Sequence, residues 1–309
     1  MILRYEHGKL VEQRTYREAL QLEGDVSPVI SIVGAGGKTT TIHQIAQEYV
    51  KANIPVIVTT TTHMRIEEEP YFLLEEEMLQ KYGGFEETGF RREIEKRLAQ
   101  YGQVWVGKAT HATPQIGKHQ GLPVAKMQCP SENVLSLLRQ WKVPLLIEAD
   151  GARMLPCKAP GEQEPVLVQE TTMVIALYGL DSIGKEIQTT CFRPELVAKL
   201  LKKQVTDVLT PEDIALLAMH EQGGRKGVRE DQQYGVVLNK ADNETRKNDA
   251  LRICERIAEI EHESTDKRSR GSGNRDCRSL VSMWTSYHDD GDRKATDCAS
   301  DGCIFQSCL

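Results

Sequence analysis

The sequence predicts an α/β fold in which helices cover both faces of a mainly parallel sheet, a three-layer architecture. Short apolar, β-branched runs recur along the chain, and segments with helical periodicity separate them. Continuous apolar runs of this kind are typical of strands buried on both faces, as in a parallel sheet. The predicted strands are 29–33, 56–58, 104–106, 145–147, 173–177 and 235–238, and the predicted helices are about 39–51, 91–101, 131–141, 194–203, 211–221 and 245–260.

Composition narrows the classes of protein to which the chain can belong. Its 309 residues carry 39 Lys and Arg against 45 Asp and Glu, a formal net charge of −6, which gives no support to a nucleic-acid binder. No apolar run reaches the length of about 18 residues that spans a bilayer, and the first residues lack a signal-peptide pattern. The 8 cysteines contain no Cys-x-x-Cys pair, which favours reduced thiols. We therefore expect a cytoplasmic protein with no nucleic-acid and no membrane partner.

A glycine-rich loop joins the first predicted strand to the first predicted helix, and it reads Gly34-Ala35-Gly36-Gly37-Lys38-Thr39-Thr40. Glycines let backbone N–H groups point at phosphate oxygens, and the following helix adds its positive N-terminal end. Lys38 would reach the β- and γ-phosphates of a nucleotide, and the Thr39 hydroxyl would hold Mg²⁺. The position five residues before Gly37 is Ile32 rather than glycine, so this is the shorter form of the motif found in Mur ligases. The loop predicts a P-loop NTPase-like fold, although a plain glycine turn is the alternative.

Two acidic residues, Glu148 and Asp150, follow the predicted strand 145–147. Their i, i+2 spacing places both on one face of an extended chain. In P-loop enzymes a carboxylate at such a strand end lies on the Mg²⁺ side of the nucleotide. Lys38, Asp150 and Glu148 are therefore the candidate catalytic residues, and Thr39 and Asp150 are the candidate Mg²⁺ ligands. The alternative is that the acids cap the next turn.

A run of threonines, Thr59-Thr60-Thr61-Thr62, ends the second predicted strand. Its hydroxyls would line the γ-phosphate or contact Mg²⁺, and Thr61 is the candidate residue. Simple β-propensity explains the same run, because threonine is common in strands.

The tetrapeptide Asn239-Lys240-Ala241-Asp242 follows the last predicted strand. In GTPases an Asn-Lys-x-Asp at this place reads guanine, since the carboxylate accepts from the two donors on one edge of that base. Asn239, Lys240 and Asp242 are therefore candidate base-binding residues, and GTP is slightly favoured over ATP. A strand-end turn rich in Asn and Asp is the alternative.

Two stretches depart from the strand–helix pattern. Residues 67–95 are rich in glutamate, which predicts a solvated helical insertion at about 65–100. Residues 264–309 show neither helical nor strand periodicity, so we expect a nucleotide-binding domain over 1–263 followed by an irregular tail. The abrupt loss of periodicity leads to the hypothesis that the reading frame is shifted near 262–264, which resequencing the gene across this junction would test. A zinc site in the tail is the rival, formed by Cys277, His288, Cys298, Cys303 and Cys308.

Taken in order, the motifs resemble the YqeC family of accessory proteins for selenium-dependent molybdenum hydroxylases. The resemblance rests on the glycine loop, on the threonine run extended to Met64, and on Leu238–Asp242. Further matching segments are 148–152, Lys158-Ala159-Pro160-Gly161-Glu162-Gln163-Glu164-Pro165-Val166, 179–185 and 193–195. It implies a P-loop nucleotide-binding fold in which 158–166 closes over the nucleotide or its substrate, a Pro-framed structural loop being the alternative. Gln163 stands where the family has His, which argues against proton transfer there.

The predicted function is that of a Mg²⁺-dependent accessory protein that binds GTP or ATP and hydrolyses it. The resemblance implies that its partner is a selenium-dependent molybdenum hydroxylase or the machinery that makes the hydroxylase cofactor. Two alternatives stay open. One is a P-loop small-molecule kinase or Mur-like ligase that passes the γ-phosphate to an acceptor. The other is a nucleotide-gated scaffold with little turnover, for which the acidic residues 67–95 would be the docking surface.

Overall fold

The structure, a computed structural model, describes residues 1–24, 27–110, 126–268 and 278–282. The strands are β1 (Ile2–Glu6), β2 (Lys9–Gln13), β3 (Val29–Gly34), β4 (Val56–Thr60), β5 (His63–Arg65), β6 (Phe72–Leu74), β7 (Gln103–Ala109), β8 (Lys126–Gln128), β9 (Leu145–Glu148), β10 (Cys157–Lys158), β11 (Met173–Gly179), β12 (Cys191–Phe192), β13 (Gln233–Asn239) and β14 (Arg278–Ser282). The helices are α1 (Tyr16–Ala19), α2 (Lys38–Lys51), α3 (Glu75–Tyr82), α4 (Glu87–Tyr101), α5 (Glu132–Arg139), α6 (Ile187–Thr190), α7 (Pro194–Leu201), α8 (Pro211–Met219) and α9 (Glu244–Arg268). All six predicted strands and all six predicted helices are present, and the largest shift in an end is at the C-terminus of α9.

Twelve of the described strands form one sheet, in the order β2-β1-β14-β13-β11-β3-β9-β4-β7-β8-β5, with β6 paired to β7. The central run from β14 to β7 is parallel at every pairing. Antiparallel pairs join β1 to β2 and β14 on one side, and β8 to β5 and β7 on the other. The prediction of an α/β fold with a mainly parallel sheet is confirmed.

Both faces of the central strands are buried, which is why their sequences are mainly apolar. Along β3, β4 and β9, alternate residues enter two different apolar clusters: Ile57 belongs to one, whereas Val56 and Val58 belong to the other. Helix α2 covers the second cluster through Ile42 and Ile45. The helices α5, α8 and α9 contribute buried residues to the first cluster. None of the helices described is long and apolar enough to cross a membrane.

The strand order brings the predicted motifs to one edge of the sheet. Strand β3 lies between β9 and β11, with Ile32 opposite Glu148 and Gly34 opposite Leu177. Strand β13 lies beyond β11, with Asn239 opposite Gly179. Because the carboxyl ends of parallel strands share an edge, the glycine loop, the two acids and the tetrapeptide after β13 meet there.

The acid-rich segment is less solvated and less helical than predicted. It contains β6, which pairs in parallel with β7, as well as α3 and α4. The side chain of Glu75 is buried, and its carboxylate accepts a hydrogen bond from the amide of Ser131 at 2.7 Å. The carboxylate of Glu76 likewise accepts from the amide of Ala109 at 2.8 Å. The prediction of a solvated surface is therefore wrong for these two acids, which tie α3 to neighbouring segments.

The segment that follows residue 263 contains regular structure that the sequence did not indicate. Helix α9 continues to Arg268, and β14 pairs in parallel with β13 and antiparallel with β1. The prediction of an irregular segment is wrong for 278–282, where neighbouring strands supply the pairing and only Leu280 and Val281 are apolar. The shifted reading frame stays a hypothesis. The five proposed zinc ligands lie outside the described residues.

Candidate functional site

The glycine loop turns sharply between β3 and α2. Gly34, Gly36 and Gly37 have φ angles of 89°, 85° and 120°, which side-chain-bearing residues rarely adopt. A Cβ atom at Gly36 would collide with the backbone of Gly179, and one at Gly34 would collide with the backbone of Leu177. The loop therefore needs glycine at these two positions both for its φ angles and for its close packing on β11.

The amides of this loop divide into two groups. The amide of Gly34 donates to Oδ2 of Asp150 at 2.9 Å, and those of Ala35 and Gly36 donate to backbone carbonyls at 2.8 and 3.2 Å. The amides of 38–40 open α2 and have no acceptor within the helix, because the first turn of any helix lacks them. In this conformation the amides of 34–36 are already bonded, those of 37–40 precede the first hydrogen bond of α2 (Thr41 to the Gly37 carbonyl), and phosphate contact with 34–36 stays a prediction.

Lys38 and both candidate carboxylates meet directly above this loop. The Nζ atom of Lys38 donates to the Gly34 carbonyl at 2.7 Å, and lies 3.1 Å from Oδ1 of Asp150 and 3.9 Å from Oε1 of Glu148. The Lys38 residue is only 5% exposed. The structure thus brings together the three residues that the sequence predicts to be catalytic.

Glu148 is held beside the start of α2. The Thr39 hydroxyl donates to Oε2 of Glu148 at 3.1 Å. Burial raises the pKa of Glu148 to about 7, while the positive charge of Lys38 and the hydrogen bond from Thr39 oppose that rise. Glu148 therefore changes its protonation state near neutral pH, beside the start of α2 and the glycine loop.

The donor set also fits a magnesium ion. The Oδ1 atom of Asp150 is buried and accepts no well-aligned hydrogen bond within the described residues, although Nζ of Lys38 lies close to it. Thr39 and Asp150, or Glu148, would supply two oxygen ligands, and phosphate oxygens and waters would supply the rest, as Mg²⁺ prefers. No group of three His, Cys, Asp or Glu residues that could hold a metal without a nucleotide occurs in the part of the chain described.

A second lysine, Lys158, completes the surroundings of Asp150. Its Nζ atom donates to Oδ2 of Asp150 at 2.9 Å, to the carbonyl of Gly151 at 2.7 Å and to Oε2 of Glu164 at 2.6 Å. The Lys158 residue is only 2% exposed. All three of its protons are thus directed at acceptors, and the ammonium fixes the position of the Asp150 carboxylate.

Glu164 links this lysine to Arg193. The guanidinium of Arg193 makes a two-pronged contact with the Glu164 carboxylate, at 2.7 and 3.0 Å. Burial by itself would raise the pKa of Glu164, but the hydrogen bonds from Arg193 and Lys158 outweigh it and bring the pKa to about 2. Arg193, Glu164, Lys158, Asp150 and Lys38 therefore form one continuous chain of charged groups.

Sequence reasoning did not assign roles to Lys158, Glu164 and Arg193. All three lie in segments that resemble the family, but no spacing rule joins residues that are 6 and 29 positions apart and that lie on a short strand, a loop and a helix N-terminus. The segment 158–166 is fastened to the site in this structure, because the amide of Val166 donates to the Ala149 carbonyl at 3.0 Å. Whether it moves over a nucleotide stays a prediction.

The threonine run is directed at backbone carbonyls. The hydroxyls of Thr59, Thr60 and Thr61 donate to the carbonyls of Val106, Glu148 and Val166 at 2.7, 2.8 and 2.8 Å. These bonds tie the end of β4 to β7, to β9 and to the loop that carries Lys158. A contact between Thr61 and a phosphate or metal stays a prediction.

The candidate base-binding residues occupy the other side of the glycine loop. The side-chain amide of Asn239 donates to the Gly36 carbonyl and to the Thr41 hydroxyl, both at 3.1 Å. Asn239 therefore supports the glycine loop in this structure.

The other two members of the tetrapeptide are held in ion pairs. Nζ of Lys240 lies 2.8 Å from Oδ2 of Asp181, and Oδ2 of Asp242 lies 3.2 Å from a guanidinium nitrogen of Arg246. Recognition of a base by Asp242 stays a prediction, since it would have to use the carboxylate beside Arg246.

Comparison with known proteins identifies one family. The sequence model described as YqeC protein matches residues 30–195. An uncharacterized protein YqeC from Escherichia coli (strain K12) is 30% identical over 204 residues, which are 65% of this chain and 71% of that protein. The matched residues include the glycine loop, both acids and the Lys158–Glu164–Arg193 network.

Proposed function

The chain belongs to the YqeC family, and we propose from the site itself that it is a Mg²⁺-dependent, P-loop-type nucleoside-triphosphate-binding protein. The observation that carries the proposal is the position of the Lys38 ammonium, between the loop carbonyl of Gly34 and the carboxylate of Asp150 at the start of α2. A lysine, a hydroxyl and a carboxylate at a helix N-terminus are the groups that bind phosphate and Mg²⁺ together.

The site would bind a nucleotide by exchanging one set of ionic contacts for another. The Lys38 ammonium would leave Asp150 and contact the β- and γ-phosphates, while the amides at the start of α2 donate to phosphate oxygens. Mg²⁺, when bound, would neutralise phosphate charge and stabilise the charge that develops during phosphoryl transfer. Lys158 would remain on Asp150 and keep that carboxylate oriented.

Hydrolysis of the bound nucleotide is a further part of the proposal. Phosphoryl transfer needs little covalent chemistry from the protein, so positioning and charge neutralisation by Lys38 and Asp150 would do most of the work. We propose GTP before ATP on the strength of the tetrapeptide 239–242. A role in maturing selenium-dependent molybdenum hydroxylases is supported by the family resemblance, and a relevant test is hydroxylase activity in cells that lack this protein.

The first experiment measures binding of GTP and ATP to the purified protein with and without Mg²⁺. We expect Lys38→Ala to abolish binding, since the Lys38 ammonium lies directly over the glycine loop, and Asp242→Ala to lower the preference for GTP over ATP. Lys51→Ala, on an exposed lysine at the other end of α2, is the matched control and should bind like the unaltered protein.

The outcomes separate the parts of the proposal. Absence of binding in a folded protein, or binding unchanged by Lys38→Ala, would contradict the phosphate site. Equal binding of both nucleotides, unchanged by Asp242→Ala, would retain the phosphate site and reject the guanine pocket. Release of labelled phosphate to water would support hydrolysis, and its transfer to an added acceptor would support the kinase or ligase alternative.

A further inference from the structure

Three cations surround one aromatic ring beside the proposed nucleotide site. The ring centroid of Phe192 lies 4.3 Å from Cζ of Arg193, 5.0 Å from Cζ of Arg153 and 5.8 Å from Nζ of Lys158. A ring face attracts each cation, but the three positive charges repel one another at such distances. An arrangement of this kind is favourable when negative charge is available nearby.

The carboxylates at hand do not balance this positive charge. Glu164 is shared between Lys158 and Arg193, and Asp150 is shared between Lys158 and Lys38. Arg153 is exposed and has no carboxylate partner in the part of the chain that the structure describes; its recorded contact is the Phe192 ring. One guanidinium is therefore left without a counter-charge at the edge of the site.

The backbone that presents these side chains is held in an unfavourable conformation. Arg153, Met154 and Arg193 have φ angles of 47°, 62° and 61°, in the left-handed region that favours glycine. Such conformations are strained, and folded proteins concentrate them at sites that bind ligands. Met154 is also 82% exposed, which a packing role does not explain. These strained backbone conformations lower the stability of the fold, and they place Arg153 and Arg193 against the Phe192 ring.

The Phe192 ring lies close to the proposed phosphate site. Lys158 is near the ring and donates to Oδ2 of Asp150 at 2.9 Å, and the same oxygen accepts from the Gly34 amide at 2.9 Å. A ligand on Arg153 would thus approach the side of the glycine loop where Asp150 and Lys158 lie. In the proposed function the tetrapeptide at 239–242 binds the nucleotide base. The surface beside Arg153 is therefore better suited to a second substrate.

We propose that Arg153, Phe192 and Arg193 form a second ligand site for a small phosphorylated molecule. The guanidinium of Arg153 binds two phosphate oxygens, Phe192 holds that guanidinium in place, and Arg193 adds positive charge from its fixed position on Glu164. A phosphate, with a charge of about −1.5 to −2, balances the excess better than a single carboxylate does. The placement of this ligand as the partner substrate of the nucleotide rests on the proposed function; its binding does not.

The test uses the full chain and inorganic phosphate as the probe, with binding followed by calorimetry or by ³¹P resonance. Arg153→Asn removes the guanidinium while keeping a residue that tolerates a positive φ angle, so the fold should be retained. We expect it to weaken phosphate binding about tenfold, the effect of losing a charge-assisted contact. Arg92→Asn, which removes one positive charge from an exposed position on α4, should leave phosphate binding unchanged.

The same titrations in Lys38→Ala separate this site from the glycine loop. Phosphate binding that survives Lys38→Ala and weakens about tenfold on adding Arg153→Asn would support the second site. If Arg153→Asn leaves phosphate binding unchanged, or weakens it no more than Arg92→Asn does, the second site is rejected. Failure of the proposed function has a different signature, namely nucleotide binding that does not depend on Lys38.

Discussion

At the scale of single residues, Asp150 is the point on which the two halves of the site converge. Its Oδ2 atom accepts from the Gly34 amide and from Lys158, and its Oδ1 atom faces Lys38. Asp150 is 1% exposed, so each of these contacts forms in a medium of low polarity, where charges interact strongly. Removing this carboxylate would leave two buried ammonium groups short of a counter-charge, which is costly.

Glu148 is expected to make Mg²⁺-dependent nucleotide binding sensitive to pH. Burial raises its pKa to about 7, so the carboxyl group is mostly protonated below that pH and ionised above it. Since a metal or a partner cation needs the ionised form, affinity for Mg²⁺–nucleotide should rise as the pH rises through about 7. The measurement is the Kd for Mg²⁺–GTP across that interval.

Glu148→Gln is the matching variant, because it keeps the shape of the side chain but cannot ionise. We expect this variant to bind Mg²⁺–nucleotide more weakly at high pH and to lose the change in affinity near pH 7.

The effect of Glu148 on the stability of the fold has the opposite dependence on pH. Because its carboxyl pKa is raised in the folded state, Glu148 becomes less favourable to that state as the pH rises from about 4.5 to about 7. Thermal unfolding should therefore show the variant gaining stability relative to the unaltered protein over that range. A step in binding that persists in Glu148→Gln would refute this assignment.

At the scale of elements, the loop 157–166 is attached to the sheet through Lys158. The ammonium bonds to Asp150 after β9 and to Glu164 within the loop, and Glu164 in turn binds Arg193 at the start of α7. Strands β10 and β12 pair beneath these side chains, with Lys158 opposite Phe192. Three segments distant in the sequence are thus joined through one buried ion network.

Lys158→Met should destabilise the fold by about 3–5 kcal/mol, because it leaves Asp150 and Glu164 buried without their shared cation. The measurement is the free energy of unfolding in denaturant. Lys185→Met, on an exposed lysine, is the control and should change stability little. If Lys158→Met is as stable as the control, the network does not hold the loop. Adding Glu164→Gln should cost less in Lys158→Met than in the unaltered protein, since the two residues share one interaction.

The sequence predicts the central elements well because periodicity is strongest where burial is complete. Residues 173–177 are continuously apolar, residues 29–33 are apolar apart from Ser31, and both segments are strands at the centre of the sheet. The hairpin β1–β2 was not predicted, since its residues are mostly partly exposed and its pairing depends on β14, far away in the chain. Short strands such as β10, with two residues, carry no periodic signal at all.

In the candidate site, too, some residues could be predicted from the sequence and others could not. The glycine loop and the acids after β9 follow from local motifs, because a loop between a strand and a helix can be recognised from adjacent residues. The ion network of Lys158, Glu164 and Arg193 does not follow from a local motif, because these residues become neighbours only when their segments pack together in the fold. Asn239 was predicted to bind a base, whereas its contacts to Gly36 and Thr41 also required the tertiary fold.

At the scale of the whole molecule, β14 connects the N-terminal hairpin to the parallel sheet. It lies between β13 and β1, and β1 in turn pairs with β2. Without β14, β13 becomes a sheet edge and β1 keeps a partner on only one side. The hairpin then remains as a two-stranded unit, which has little stability of its own.

Removing residues 269–309 should therefore lower the melting temperature and increase hydrogen exchange at the amides of β1. Removing only residues 283–309 retains β14 and is the matched control, in which we expect exchange at β1 to stay slow. Equal exchange at β1 in the two truncated proteins would show that β14 does not support the hairpin. The comparison also bears on the reading-frame hypothesis, because it measures how much of the segment after residue 263 the fold uses.

The contacts of the glycine loop determine when this site can exist during synthesis of the chain. Gly34 bonds to Asp150, 116 residues later, and Gly36 bonds to Asn239, 203 residues later. The loop is translated early, whereas its carboxylate is made about halfway along the chain and its supporting amide only after most of the chain, at about 5–20 residues per second. A nascent chain that ends before Asn239 therefore carries the glycine loop without all of the tertiary contacts that shape it. The nucleotide binding that we propose would therefore begin only once nearly the whole domain has emerged.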